Sequence, residues 1–365
     1  MRRPGHEWEP AVADLDQQIT RTLRQRAEGD VDIDQLLHTS RARGRRRQAH
    51  RRVAAGTALS LIGALGVVGV TGTGLDGLTS RMPWTTAAPT PTVVPPRADG
   101  VPGAAADPAL VGADPQVLHV GVDPDRARYL GWEVIRDQVE TVRLSVAGSE
   151  EVRIDVGRSI EFPSSVTIDG ASFEVTEPGR PNFDGAVRPA SGMARGLVKL
   201  WQPAPGLYAR AVMLHGDRAV LNQAVGALRW KEARRCAAPL RLGALPEGAR
   251  VTVCSVDIAS YPRLVTARFA LQRSPVENMS VEYRYASRAG TYTEADRTIA
   301  GRPALLSAKG TRLELVGIPR TRLTADFGWP WDGERPANIF TEAEATALLA
   351  QVKLSEDPTK PQSWE

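Results

Sequence analysis

Cysteine is scarce in this chain: there are two in 365 residues, Cys236 and Cys254. That excludes a zinc site built on a cysteine cluster, which needs about four ligands. Histidine is nearly as rare, with five in all, and only His119 and His215 lie beyond residue 75. The spacings HExxH, GxSxG and GxxxxGK[ST] are missing, so zinc-protease, serine-hydrolase and P-loop chemistry have no motif to stand on. Lysine is close to absent, 5 against 41 arginines, which reads as a GC-rich coding bias. No cofactor motif is present. "GTGLDG" (Gly72–Gly77) matches GxGxxG only formally, since no strand precedes it and no βαβ unit follows.

Charge of one sign is also confined. The net charge is +4, and residues 1–52 carry all of it, with 12 basic and 8 acidic side chains. Much of that excess sits in "RARGRRRQAHRR", Arg41–Arg52. Directly after it, Val53–Leu75 runs for 23 residues without a charge. About 20 apolar residues in a helix cross a bilayer core. A secretory signal has a shorter apolar core, of about 7–15 residues, and a short basic leader. The sequence therefore predicts a retained transmembrane helix over 53–75. The arginines on one flank put residues 1–52 in the cytoplasm and the remainder outside. In this reading Arg45, Arg46, Arg47, Arg51 and Arg52 meet the headgroups of the lipid bilayer. Specific nucleic-acid binding is not expected, because the rest of the chain is neutral.

Within the N-terminal segment, Trp8, Val12, Leu15, Ile19 and Leu23 recur at steps of three and four, which makes one helical stripe. A helix of this length cannot bury the stripe alone, so residues 8–27 pack on a second short helix near Asp32–Ser40, dock on a cytoplasmic partner protein, lie on the membrane, or form a marginal surface helix. Residues 76–117 are rich in Pro, Ala, Thr and Gly and read as a linker.

Two extracytoplasmic units are expected next, at 118–235 and 236–365. Period-two runs mark strands at Thr141–Ala147, Glu151–Gly157, Ser165–Glu177 and Gly196–Leu214, then at Leu264–Leu271, Ser280–Ala286 and Arg297–Trp329. Each unit closes on a helix. One covers Asp217–Trp230 with Asp217 as N-cap, and the other covers Phe340–Leu354 with a capping box from Thr341 to Glu344. "TIDGASFEV" matches "TIAGRPALL", and Pro203, Leu207 and Ala209 match Pro319, Leu323 and Ala325, each 116 residues on. The expected fold class is α+β: a single transmembrane helix followed by two tandem antiparallel-sheet-plus-helix units, an internal repeat.

Cys236 and Cys254 flank "LPEG" (Leu245–Gly248), a turn that would let a hairpin join them as a disulfide outside the cytoplasm. "FGWPWDG" offers Trp329 and Trp331 either as an exposed sugar- or peptide-binding surface or as a cap over the core. Asp169, Glu174, Glu294 and Asp296 are the carboxylates open to acid–base work, and nothing in the sequence separates them from solvated charges.

"LRQRAEGDVDIDQLL" (Leu23–Leu37), the arginine run and the apolar span together resemble the front of single-pass membrane proteins of GC-rich Gram-positive bacteria. Some of those are encoded beside extracytoplasmic-function sigma factors, and the resemblance implies a sigma factor as a partner. Anti-sigma proteins commonly carry a histidine followed by CxxC, and residues 1–52 contain no cysteine. The expected function is a membrane-anchored, non-catalytic extracytoplasmic binding or sensing protein with an outer ligand. The alternative is a transmembrane, anti-sigma-like regulator that binds a cytoplasmic sigma factor through residues 8–27. A cell-envelope hydrolase has no catalytic spacing to support it.

Overall fold

Alternation at every second residue shapes most of the chain. Along Leu264–Ser274, Val265, Ala267, Phe269 and Leu271 are buried, while the intervening residues face the other way. The same pattern recurs in strand after strand, and each such strand needs a neighbour and a cover for its apolar face.

The computed structural model describes residues 92–364 apart from 147, 149–150, 169–170, 176–180, 192–195, 308–309 and 329–338. These residues belong to one unit that begins at Ala87. Its first half contains β1 (Val117–Leu118), β2 (Gly121–Val122), β3 (Arg128–Ile135), β4 (Val139–Ser145), β5 (Glu151–Gly157), β6 (Ser165–Ile168) and β7 (Ala171–Glu174). Then come β8 (Asp184–Pro189), β9 (Leu197–Ala204), β10 (Leu207–Met213), α1 (Arg218–Gly226), β11 (Leu228–Arg229) and β12 (Arg234–Arg235). The second half contains β13 (Leu240–Arg241), β14 (Arg250–Asp257), β15 (Leu264–Ser274), β16 (Glu277–Ala286), β17 (Arg297–Ile299) and β18 (Arg302–Leu306). It ends with β19 (Arg312–Leu315), β20 (Thr321–Asp326), α2 (Glu342–Gln351) and β21 (Lys353–Leu354).

Thirteen strands form one sheet in the order β17-β18-β19-β20-β16-β15-β14-β3-β4-β5-β10-β9-β8. Its neighbours pair antiparallel, and β3 and β14 join at its middle. From that junction each half runs outward through a three-strand meander and then takes back a hairpin, β9–β10 or β19–β20. Two short pairs, β2–β11 and β13–β21, close the halves in the same way. "TIDGASFEV" and "TIAGRPALL" fall on the hairpins β6–β7 and β17–β18. The second of these turns through Ala300 and Gly301, both at positive φ, as a two-residue hairpin turn requires.

This corrects the expected α+β class. The described chain is mostly β, its two halves share one continuous sheet, and only α1 and α2 are α-helices among the described residues. The physical reason is edge pairing. Separate units would each leave β3 or β14 with unpaired backbone groups at a sheet edge, and pairing them to each other removes both edges. The single-pass cell-membrane placement, with extracytoplasmic C-terminal domains, is corrected as well. No helix among the described residues is long and apolar enough to cross a membrane, and the expected span at 53–75 lies outside them. Part of the expected linker is folded, since Val93, Ala104 and Val111 are fully or nearly fully buried.

Both helices lie on the same face of the sheet. Leu221 and Ala224 of α1, and Ala345, Leu348 and Leu349 of α2, join Trp132, Ile154, Phe269, Val281 and Leu323 in one core. The caps are those the sequence predicts: Asp217 accepts from Val220 N, and Thr341 and Glu344 form a reciprocal box. The segment before β3 packs over the same core and is pinned there by Glu140, which is fully buried. Its carboxylate accepts from Gly112 N at 2.9 Å and from His119 N at 2.5 Å, and contacts His119 Nδ1 at 2.6 Å.

Cys236 and Cys254 form a disulfide, with Cα atoms 6.4 Å apart. The expected hairpin does not bring them together, because β13 pairs with β21 and not with β14. Cys236 instead lies between β12 and β13, and its N–H donates to Gln116 O at 2.8 Å. The bond ties the connection between the halves to the strand at their junction.

Two outcomes follow for urea denaturation. Replacing both cysteines by serine should lower unfolding stability by about 3 kcal/mol, the entropy of closing a loop of this size. Glu140→Gln should cost about 2 kcal/mol, because an amide cannot accept from all three donors at once.

Candidate functional site

The sheet has a second face, and there polar residues fill the alternate positions. In the first half that face is closed. Asp155 is fully buried and accepts from Thr141 Oγ1 at 2.7 Å, Arg153 Nε at 2.8 Å and Arg210 Nη2 at 2.7 Å. Arg143 and Arg153 stand directly opposite each other on β4 and β5. Like charges in that position repel, and carboxylates offset them. Glu151 holds Arg143 through two bonds of 2.7 and 2.8 Å, Asp257 holds it through a third of 2.5 Å, and Asp155 holds Arg153.

The cover over this region is the hairpin β6–β7. Val166, Ile168 and Val175 pack on Val198, Leu200 and Val212 as a small second core. Beside it the Phe162 ring lies 5.1 Å from the Arg210 guanidinium. Burial pushes the Asp155 carboxyl up, but the charges of Arg153 and Arg210, with their hydrogen bonds and that of Thr141, outweigh it and hold it below its ordinary value.

In the second half the corresponding hairpin, β17–β18, extends the sheet beyond β19 and does not fold over its face. That face is open. Arg268, Glu282, Arg284 and Arg322 are all exposed. Arg268 stands opposite Glu282, and Glu282 opposite Thr324. Between β19 and β20, Arg312 bonds Asp326 at 2.7 Å.

The open face ends in a cleft of about 140 Å³ lined by Arg284, Arg320, Arg322, Gly290 and Tyr292. Three elements build it. Strand β16 supplies Arg284, the loop after β16 supplies Gly290 and Tyr292, and the β19–β20 turn with the start of β20 supplies Arg320 and Arg322. The loop is tied to the turn, because Gly317 N donates to Tyr292 O at 2.6 Å and Ala286 N to Arg320 O at 2.9 Å. The Arg322 guanidinium lies 5.6 Å from the Tyr292 ring centre and donates to Glu314 at 2.6 Å. Arg320 adopts a left-handed φ of 59°, a conformation that costs an L-residue about 1 kcal/mol.

Glu174 and Glu294 are exposed to solvent. Asp296 is held low by hydrogen bonds from Arg297 and from Leu306 N, so it serves as an ion-pair partner. Asp169, Trp329, Trp331, the stripe Trp8, Val12, Leu15, Ile19 and Leu23, and the flank Arg45, Arg46, Arg47, Arg51 and Arg52 all lie outside the described residues. Among the described residues, no group of three or more His, Cys, Asp or Glu could hold a metal ion. Sequence reasoning missed Asp155, Arg210 and the three cleft arginines. The alternation in "EVRIDVG" already puts Glu151, Arg153 and Asp155 on one face, but the most distant of their partners, Arg210, lies 55 residues from Asp155.

The buried carboxylate gives a pH-dependent expectation. A depressed folded pKa contributes stability that is complete above the unfolded value near 3.8 and is lost as pH falls through the folded one. Asp155→Asn should therefore lose about 3–5 kcal/mol at neutral pH, because Arg153 and Arg210 are left buried without a counter-charge. The same variant should show a flatter decline of stability in acid, as followed by circular dichroism across a pH series.

No family model matches the chain, and no curated protein matches it. Among solved structures it is similar to the crystal structure of MucB in complex with MucA(peri), at 10% identity, covering 66% of this chain and 92% of that one. The TM-score is 0.21, too low to carry an argument about this chain.

Proposed function

We propose that this chain is a non-catalytic binding protein of a regulatory kind, which engages a protein partner through the open polar face of its second half. One contrast carries the reading. The hairpin β6–β7 seals the polar face in the first half, while its counterpart β17–β18 leaves the same face uncovered in the second. A sheet face that displays Arg268 and Glu282 side by side offers both signs of charge at fixed spacing, which favours specific contact over non-specific attraction. The rigid ladder beneath holds those groups in place, so little ordering is needed on binding.

Support for a non-catalytic role comes from the use of the carboxylates. Asp155, Glu151, Asp257, Glu314 and Asp326 are all engaged by arginines in ion pairs. The regulatory part of the reading rests on the stripe Trp8–Leu23 and its resemblance-based partner, a sigma factor, which would dock on that stripe while the sheet takes a second protein.

Site-specific photo-crosslinking tests the proposal in cells that make the full chain. A crosslinker at Arg268 or Glu282 should capture one discrete protein, and a crosslinker at Leu15 should capture a sigma factor. The Arg268→Glu variant should weaken the purified pair by about tenfold, and the added Glu282→Arg should restore part of that loss. Equal capture from Arg188, at the far edge of the sheet, would overturn the assignment of the face.

A further inference from the structure

We infer that the cleft formed by Arg284, Arg320, Arg322 and Tyr292 is a binding site for a doubly charged, phosphate-type oxyanion group carried by a small ligand. This goes beyond the protein-binding reading and stands or falls separately from it. The observation behind it is an arginine pair in which only one member has a carboxylate partner. Arg284 on β16 and Arg322 on β20 are directly opposite in the ladder. Their Cβ atoms in such a pair are about 5 Å apart, and like charges placed so repel.

Among the described residues the sheet contains one other directly opposed pair of this kind, Arg143 and Arg153, and there Glu151, Asp257 and Asp155 supply the missing charge. At the cleft only Glu314 does so, on Arg322. Arg284 and Arg320 form no ion pair with any described residue. Glu294, further along the loop, does not line the cleft.

The shape matches one anionic group. Ligand pockets for whole small molecules are about 300–1,000 Å³, and the cleft measures about 140 Å³. It therefore admits a single group such as a phosphate, with the rest of the ligand lying outside along the open face. Three guanidiniums, with Glu314 set against one, leave two net positive charges. That balance favours a dianion over a carboxylate. Guanidiniums also present planar forks that bind such oxygens in a bidentate way.

Two features hold the arginines ready. The Arg322 guanidinium lies over the Tyr292 ring and is held by Glu314. Arg320 keeps a left-handed backbone where glycine would be unstrained, so the side chain is retained against a local cost.

Isothermal titration of the full chain with inorganic phosphate, against acetate at matched ionic strength, tests the site. Saturable binding of phosphate that is tighter than that of acetate is expected. Arg320→Gly suits the backbone at φ 59°, so that variant should fold at least as stably as the parent, yet bind phosphate about tenfold more weakly. Arg284→Lys keeps the charge but loses the fork, and should fall between the two. The proposal is overturned if phosphate shows no saturable binding, if acetate binds as tightly, or if Arg320→Gly leaves the affinity unchanged. Loss of phosphate binding with intact crosslinking at Arg268 would separate this site from the protein-binding face.

Discussion

The antiparallel pairing of β3 with β14 is the constraint on which the rest of the structure depends. Five residue pairs, from Val253 with Ile135 to Asp257 with Gly131, make two half-sheets into one. The approach is close enough that a Cβ on Gly131 would sit 2.6 Å from the Val256 carbonyl oxygen, so only glycine fits there. With the junction set, every strand outward inherits the same two faces. One face is apolar from Trp132 to Leu323 and must be covered. The helices, the segment before β3 and the C-terminal Trp364 supply that cover, and the Cys236–Cys254 bond holds the connecting segment against β14.

The other face shows one plan used in two ways. Both halves carry arginines and carboxylates there at alternate positions. Under β6–β7 the charges are out of water, where an unpaired ion is very costly, so they are matched closely around Asp155. In the second half water screens the charges, and the matching is looser. A loose arrangement is affordable only while water, or a bound group of opposite sign, reaches it. The exposed Arg268–Glu282 pair and the arginine cleft both exploit that freedom, one for a protein surface and the other for an anion.

Much of the fold is legible in linear order, because its signals are local. The alternation along Glu151–Gly157 and Leu264–Leu271, the N-cap at Asp217 and the Thr341–Glu344 box each depend on residues within a turn or a strand. The likeness between "TIDGASFEV" and "TIAGRPALL" likewise marks two hairpins at matching places in the chain. The site was less legible. Asp155 meets Arg210 across 55 residues and Arg143 meets Asp257 across 114, so neither pairing has a local trace. An arginine at 284 and another at 322 look like ordinary surface charges until the β16–β20 register sets them face to face.

By itself, the sequence determined where both helices and many of the strands lie, though not β3 and β14 at the junction, and which two cysteines were available to pair. Tertiary structure alone decided that the halves share one sheet, that one hairpin covers a polar face while its counterpart leaves that face open, and that three arginines converge on one cleft. The reason is the range of the forces involved. Periodicity and capping act over a few residues, whereas strand register and charge compensation depend on groups brought together from distant parts of the chain.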